Sequence, residues 1–275
     1  MILTVKHIKT IMEEYAPVNL KEDYDNVGLM VGDQSCEVTS ILIALDCTLE
    51  VIEEAKEKGC NLILTHHPLL FRKPSSITTD TLVGRKIIEL VRNNINLYSS
   101  HTNLDITKGG ITDKLIELFD FNASDKIKPF TCEILDANKD DKNIGIGRMV
   151  ITELPITVKD VCQKLKAALG VPMIRFSGDG NRKIHRIAII NGSGQDYFNM
   201  AKKRGAECVI TGDTTYHYVS DYSEEGIAII DAGHFHTEWP AMKMVGVYLQ
   251  RKLSELEYDN SIYISEKCIN PYNYF

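Results

Sequence analysis

The chain of 275 residues is long enough for one large domain or two modest ones with a substantial buried core. Hydrophobic residues make up 44% of it and charged residues 25%, a composition that is typical of globular proteins and argues against disorder. The formal net charge of -7 offers no general basic surface, which argues against nucleic acid or an anionic membrane as a partner.

The N-terminal segment predicts an amphipathic helix rather than a signal peptide. Ile8, Ile11 and Tyr15 recur at helical spacing, and acidic residues interrupt any apolar core. Pro17 ends the pattern. Apolar runs such as ILIAL are far too short to span a bilayer, so we expect a soluble protein.

The seven cysteines are an odd number and include no C-x-x-C motif or other close pair. This pattern favours a reducing compartment, and we therefore expect a cytoplasmic location. It also argues against a zinc site built from thiolates.

The first half of the chain alternates short β-rich runs with helical runs. In chain order these are the strand SILIALD, the helix TLEVIEEAKEKG, the strand NLILTHH, the helix TLVGRKIIELVRNN and the strand INLYSSH. A connection between parallel strands must be long enough to hold a helix, so this order predicts parallel pairing with helices covering the sheet. The expected fold class is α/β.

A polar, glycine-bearing region from about residue 123 to 147 predicts a boundary between two α/β lobes, residues 1–125 and 126–275. After it, GIGRMVITE predicts a strand and TVKDVCQKLKAALG a helix that stops at Gly170. The C-terminal helix is expected to pack back on the first lobe.

The second half repeats the pattern of the first. The segment AKEKGCNLILTHH (55–67) aligns with AKKRGAECVITGD (201–213), so a helix leads into a strand in both. Likewise LYSSHTNLD (97–105) aligns with IDAGHFHTE (230–238). We infer that the two lobes are related by an internal duplication.

Both repeats carry a histidine followed four residues later by a carboxylate. His101 aligns with His234, and Asp105 aligns with Glu238. These clusters, together with THH and TGD, follow predicted strands, and ligands of open α/β sheets collect outside the carboxyl ends of strands. Two lobes facing each other across a pseudo-two-fold axis would bring the clusters together.

His66 and His67 stand between an apolar strand and Pro68. Their side chains would point to opposite faces of a continuing strand, so only a turn beginning at Pro68 lets both reach one site. Imidazole nitrogen and carboxylate oxygen suit zinc, iron, manganese or cobalt, and adjacent histidines can serve two neighbouring metals. The alternative is a hydrogen-bonded structural pair.

Three further features leave alternatives open. His101 fits a metal ligand, a residue that orients a ligand, or a group that transfers a proton. His217, in TGDTTYHYV, lies either on the surface or in a pocket wall. The turn Gly192-Ser193-Gly194 either offers backbone N–H groups to a phosphate or is simply a tight turn.

Several motifs in one order cover almost the whole chain: YDNVGLMVGD, ALD, THHPLLF, SSHTNLD, GSG, TGD and DAGHFHTE. In this the chain resembles the Nif three-like family of dinuclear-metal proteins, often named GTP cyclohydrolase 1 type 2 homologues. The resemblance implies two divalent metal ions per chain. Zinc is the leading candidate, and iron, manganese and cobalt are the alternatives. It also implies a ring-shaped homohexamer. The metal ligands implied by the resemblance, with the last expected to bridge, are His66, His67, Asp105, His234 and Glu238.

The function that the resemblance implies is metal-dependent hydrolysis of a purine nucleotide or a phosphoester. A metal-activated water would attack the electrophilic carbon or phosphorus, with His101 as a nearby acid or base. With GTP the electrophile would be C8 of guanine, and the ring would open and release formate. The alternative is a non-catalytic protein that handles metal or forms an interaction scaffold, because fold does not decide activity. A catalyst keeps an open coordination position, whereas a carrier releases its metal easily.

Overall fold

The protein is described by a computed structural model covering residues 2–119, 130–137, 144–273 and 275. It divides into two compact units. The first unit consists of Met1–Thr107 and Met242–Phe275, and the second consists of Lys108–Ala241. The lobe boundary predicted from the sequence, at residue 125, lies outside the described residues.

The described residues form nine α-helices and eleven strands, so the fold is mixed α/β as predicted. The helices are α1 (Val5–Tyr15), α2 (Leu49–Glu57), α3 (Leu82–Arg92), α4 (Thr102–Ile106), α5 (Ile111–Phe119), α6 (Val158–Leu169), α7 (Phe198–Lys203), α8 (Tyr216–Glu224) and α9 (His234–Glu255). The strands are β1 (Gly28–Val31), β2 (Ile41–Ala44), β3 (Leu62–Thr65), β4 (Asn96–Ser99), β5 (Phe130–Ala137), β6 (Gly145–Thr157), β7 (Arg175–Phe176), β8 (Lys183–Ser193), β9 (Cys208–Gly212), β10 (Ala228–Asp231) and β11 (Ile262–Ile264).

The first unit is built on a five-stranded sheet in the order β1-β4-β3-β2-β11. Strands β11, β2, β3 and β4 run parallel, and β1 pairs antiparallel with β4 at the edge. Every residue of β2, β3 and β4 is buried, as expected for parallel strands covered on both faces. The parallel β-α-β order predicted for the first half is therefore confirmed.

Local capping explains where several helices begin and end. The hydroxyls of Thr48 and Thr81 accept the backbone N–H of Val51 and Gly84, which fixes the first turns of α2 and α3. Helix α6 ends at Gly170, whose φ of 64° lies in the left-handed region that glycine adopts without steric cost. The predicted stop at this glycine is confirmed.

The second unit is built on a six-stranded sheet in the order β5-β6-β8-β9-β10-β7. Strands β8, β9 and β10 run parallel, whereas β5, β6 and β7 pair antiparallel with their neighbours. Its core joins buried side chains of the parallel strands, such as Ile187 and Ile210, to Leu115 of α5 and Leu165 of α6. Burial of these aliphatic side chains is the main favourable contribution to this unit's stability.

The two sheets share an order of strands. Each contains a run of three parallel strands with an antiparallel strand next to the last of them, as β2-β3-β4-β1 in the first and β8-β9-β10-β7 in the second, and the first sheet adds β11 parallel to β2. The aligned segments 55–67 and 201–213 fall on α2 with β3 and on α7 with β9. A helix leads into a strand in both, as the sequence predicts.

Helix α9 has 22 residues and contains Pro240, next to the position where one unit ends and the other begins. Its C-terminal part belongs to the first unit, where a Cβ on Gly246 would meet side-chain atoms of Ile264 at 2.8 Å and Ile43 at 3.1 Å. A glycine is therefore needed for this part of α9 to pack on β2 and β11. Among the described helices, none has the length and apolar character needed to cross a membrane.

Candidate metal centre

The histidine pair follows β3 directly. The strand ends at Thr65, the chain bends at His66 and His67, and the turn predicted at Pro68 follows at residues 69 and 70. The Thr65 hydroxyl donates to the carbonyl oxygen of His67 at 2.9 Å, which closes the bend before the proline is reached. The bend removes the alternation of a strand and frees both side chains from opposite faces.

His66 is fully buried and held by one ring nitrogen. Its Nδ1 lies 2.9 Å from the carbonyl oxygen of Ser100, which can only accept, so Nδ1 carries the proton and donates. Nε2 then carries the lone pair that metal coordination requires. Nε2 of His66 lies 3.5 Å from Oδ1 of Asp105, a buried carboxylate on α4.

His67 is oriented in the same manner by a different strand end. Its Nδ1 lies 2.8 Å from Oδ1 of Asp46, which follows β2, and its backbone N–H donates to the carbonyl of Leu45. The carboxylate fixes the tautomer and raises the basicity of the other ring nitrogen. The side chain of His67 is 23% exposed, so it borders solvent.

His101 stands at the start of α4 and pairs with a carboxylate. Its Nδ1 lies 2.9 Å from Oδ1 of Asp25, and the other carboxylate oxygen accepts from the backbone N–H and hydroxyl of Thr102. Burial alone would raise the pKa of Asp25, but the hydrogen bond and charge of His101 and the bonds from Thr102 outweigh it and hold this pKa below its usual range. Asp25 is therefore an anion that anchors His101.

The three histidines of the first unit form one cluster. His66, His67 and His101 each offer a ring nitrogen, and these atoms lie within 4.8 Å of one another. The ring centroid of His101 lies 5.1 Å from that of His66 and 5.7 Å from that of His67. Such convergence of imidazoles is typical of a site for a borderline metal ion. We call these three residues the histidine cluster.

In the second unit the predicted histidine and glutamate are in direct contact. His234 begins α9, and Glu238 lies one turn later on the same helix face, with Nε2 of the one 2.9 Å from Oε2 of the other. Nδ1 of His234 lies 2.7 Å from Oδ2 of Asp213, so the imidazole stands between two carboxylates. Asp213 has a φ of 52°, which is rare for a residue other than glycine.

The Gly-Ser-Gly turn makes room for this pair. A Cβ on Gly192 would stand 2.1 Å from Oε1 of Glu238 and 3.3 Å from Nε2 of His234. The backbone N–H of Gly192 donates to the hydroxyl of Thr237, and that of Gly194 donates to the hydroxyl of Thr211. Of the two alternatives for this turn, the tight packing turn describes it, because these two N–H groups are engaged within the unit.

The donor set of each unit fits a divalent cation. Asp105 and Glu238 are only 9% and 3% exposed, and a buried carboxylate is costly unless a positive charge lies near it. With Nδ1 of His234 donating to Asp213, an unprotonated Nε2 facing Glu238 at 2.9 Å places a lone pair against a carboxylate. A proton or a cation between them removes that repulsion.

The comparisons with known proteins place this chain in a family. Residues 3–271 match the family Duf34/NIF3 (NGG1p interacting factor 3). The chain belongs to the Duf34/NIF3 family. A protein named GTP cyclohydrolase 1 type 2 homolog from Clostridium acetobutylicum is 50% identical over 274 residues, which cover 100% of both chains. Another of the same name from Clostridium perfringens is 52% identical over 272 residues, covering 99% of this chain and 100% of its own. The crystal structure of a Staphylococcus aureus hypothetical protein has a TM-score of 0.90 at 29% identity, with 100% of both chains covered.

Sequence reasoning missed the residues that orient the histidines in this Duf34/NIF3 protein. Asp46 and Asp213 are the last residues of the motifs ALD and TGD. Asp213 aligns with His67 in the repeat, so its position next to a site could have been predicted. Asp25 and His101 are 76 positions apart in the sequence, and no local pattern predicts a contact between them. His217 is exposed on α8, next to the ring of Tyr216.

Two of the described cysteines, Cys47 and Cys268, are poor metal ligands near neutral pH. Burial raises the pKa of Cys47 to about 12 and that of Cys268 to about 11, so neither is a thiolate near neutral pH. The cysteines whose side chains the structure describes are all free thiols: Cys36, Cys47, Cys60, Cys162, Cys208 and Cys268.

Proposed function

We propose that this protein is a dinuclear metal-dependent hydrolase that resembles GTP cyclohydrolase 1 type 2 and acts on a purine nucleotide or a phosphoester. Its two divalent metal ions, for which zinc is the leading candidate, would be held by His66, His67, Asp105, His234 and Glu238. The curated relatives that bear the GTP cyclohydrolase 1 type 2 name are about half identical to the chain along its whole length, which supports this activity class.

The orientation of the histidines carries the proposal. His66, His67 and His234 each engage Nδ1 with an oxygen at 2.7 to 2.9 Å, supplied by a backbone carbonyl or a carboxylate. Histidines that bind metals nearly always donate their other N–H to such an oxygen, which fixes the ring and the tautomer. A merely structural histidine pair does not need the same arrangement three times.

The internal duplication belongs to this proposal, since it explains why two units of one chain each carry part of a ligand set. Both sheets contain the same run of three parallel strands and one antiparallel neighbour, β2-β3-β4-β1 and β8-β9-β10-β7. His101 and His234 both stand at the start of the helix that follows the last strand of this run, β4 and β10 respectively. We infer that an ancestral unit carried one such histidine with a carboxylate one turn later.

His101 is proposed to move protons. Bound divalent ions would polarise the electrophile and lower the pKa of water. His101, held by the anionic Asp25 through Nδ1, would use Nε2 to take the proton from the attacking water and return it to the departing group. On guanine the water would add at C8, the ring would open, and hydrolysis of the resulting formamide would release formate. Ligation of metal by His101 is the alternative role.

The oligomer is proposed to be a homohexamer. The resemblance to the family implies it, and native mass spectrometry of the purified protein measures it directly. A main species of six chains would support the proposal, and a monomer at micromolar concentration would refute it.

Metal content and turnover test the function together. Protein purified without chelator is analysed by elemental mass spectrometry and incubated with GTP and with a panel of phosphoesters. We expect about two metals per chain and turnover that chelation abolishes. The variants His67→Ala and Glu238→Ala should lose metal while circular dichroism stays native, whereas His217→Ala, an exposed histidine, should keep it.

Three other outcomes would count against parts of this proposal. Two metals without turnover of any substrate would favour the non-catalytic metal-handling or scaffold protein. If either variant holds the wild-type amount of metal, the ligand assignment is wrong. Failure to bind metal even after reconstitution would refute the site itself.

A further inference from the structure

Two aromatic rings stand exposed beside the histidine cluster. Tyr24 is 62% exposed and Phe71 44% exposed, and their ring centroids lie 6.2 Å apart. The ring of Phe71 also lies 6.3 Å from that of His101. Large apolar side chains next to a set of converging polar groups are typical of a binding surface, because leaving them in water forfeits the free energy of burying them. We call Tyr24 and Phe71 the aromatic corner.

The backbone beneath the aromatic corner is held in place. The side-chain amide of Asn26 donates to the carbonyl oxygen of Leu70 at 2.7 Å, which ties the Tyr24 loop to the Phe71 loop. Asp25, between Tyr24 and Asn26, anchors His101. Three consecutive residues therefore present a ring, orient a histidine of the cluster and fix the loop that carries the second ring. A surface ordered in advance loses less entropy when a ligand binds.

The geometry of the corner suits a flat ring. The planes of Tyr24 and Phe71 meet at 64°, so they form an edge-to-face pair rather than a closed stack. A planar ligand can lie on the face of one ring while the other borders its edge. Every nucleobase can stack on an aromatic side chain, because each base has a π face. An aliphatic ester has no such face to offer.

We propose that the aromatic corner binds a heteroaromatic ring of the nucleobase class and so selects ring-bearing ligands over aliphatic ones. This inference rests on the proposed function in one respect: it takes the bound ring to be part of the substrate of the proposed hydrolase. Tyr24 and Phe71 set specificity and take no part in bond breaking.

Binding of guanosine and of ribose, measured by titration calorimetry on the full-length, metal-loaded protein, tests the proposal. Wild type should bind guanosine and not ribose. Tyr24→Leu and Phe71→Leu should each weaken guanosine binding by about 5- to 100-fold with unchanged metal content, as expected for loss of one stacking partner. Tyr24→Trp keeps a flat face and should bind within about twofold of wild type. Tyr272→Leu, which removes a 72% exposed tyrosine of the same unit, should have no effect.

Several results would overturn the proposal. Equal affinity for guanosine in wild type and both leucine variants would do so, and so would an equal loss in Tyr272→Leu. If wild type holds two metals and hydrolyses glycerol phosphate but does not bind guanosine, the aromatic corner is wrong and the proposed hydrolase stands. If guanosine binding depends on Tyr24 in a protein that never holds metal, the aromatic corner stands and the proposed hydrolase fails.

Discussion

The substitution Gly192→Ala probes the contact between His234 and Glu238 without replacing either proposed ligand. Its φ of 58° places an alanine in the left-handed region, at a cost of about 1–2 kcal/mol. The new Cβ would stand 2.1 Å from Oε1 of Glu238, and side-chain carbons do not approach other atoms within about 3.0 Å, so the carboxylate must move by about 0.9 Å. If Glu238 holds a metal as proposed, a displacement of this size should lower metal affinity by about 10- to 100-fold.

Metal titration followed by elemental analysis, together with thermal unfolding of the metal-free protein, measures both effects. The strain alone should lower Tm by about 2–8 °C. Gly170→Ala is the matched control in the same unit, because Gly170 has a φ of 64° and a Cβ added there would meet nothing within 4 Å. It should show the fall in Tm and keep its metal. Wild-type metal affinity in Gly192→Ala, or equal metal loss in Gly170→Ala, would refute the reasoning.

Two predictions concern stability. Arg148 is 1% exposed and makes two bonds to Asp113, so Asp113→Ala leaves a buried guanidinium without its carboxylate and should lower the free energy of unfolding by about 3–5 kcal/mol in urea titrations; a change below about 1 kcal/mol would contradict this. For Glu54, burial raises the pKa, but hydrogen bonds from three donors after β11 outweigh it and lower the pKa below 4.5. A lowered folded-state pKa stabilises the fold above pH 4.5 and ceases to do so as the pH falls through the folded-state value, so urea unfolding from pH 6 to 3 should show a steeper loss for wild type than for Glu54→Gln. Parallel pH profiles would contradict it.

Periodicity predicted the elements whose side chains alternate or repeat over enough residues. The N-terminal helix, which ends at Tyr15 before Pro17, and the buried parallel strands of the first unit follow from local pattern alone. The edge strands β1 and β7 did not, because they form through antiparallel pairing with β4 and β10 rather than through a pattern of their own. Pairing of this kind depends on a neighbour that the local sequence does not contain.

The contacts of the candidate site likewise include some that local sequence predicts and others that depend on distant segments. The contact between His234 and Glu238 follows from a spacing of four on one helix, which local sequence encodes. The turn after Pro68 follows from the proline, whereas the earlier bend at His66 and His67 was not predicted, because the Thr65 hydroxyl that closes it depends on folded geometry. Asp25 was missed because its contact with His101 is made only after distant segments meet.

The order of strands explains which residue orients which histidine. In the first sheet β3 lies between β2 and β4, so the histidines that follow β3 receive one partner from each side: Asp46 after β2 for His67, and Ser100 after β4 for His66. In the second sheet β9 and β10 are neighbours, and Asp213 after β9 orients His234 after β10. A parallel sheet sets the carboxyl ends of adjacent strands side by side, and each of these three histidines is thereby oriented by the strand next to its own. Metal affinity should therefore respond to the orienting carboxylates as well as to the ligands, since both are fixed by the same parallel pairing.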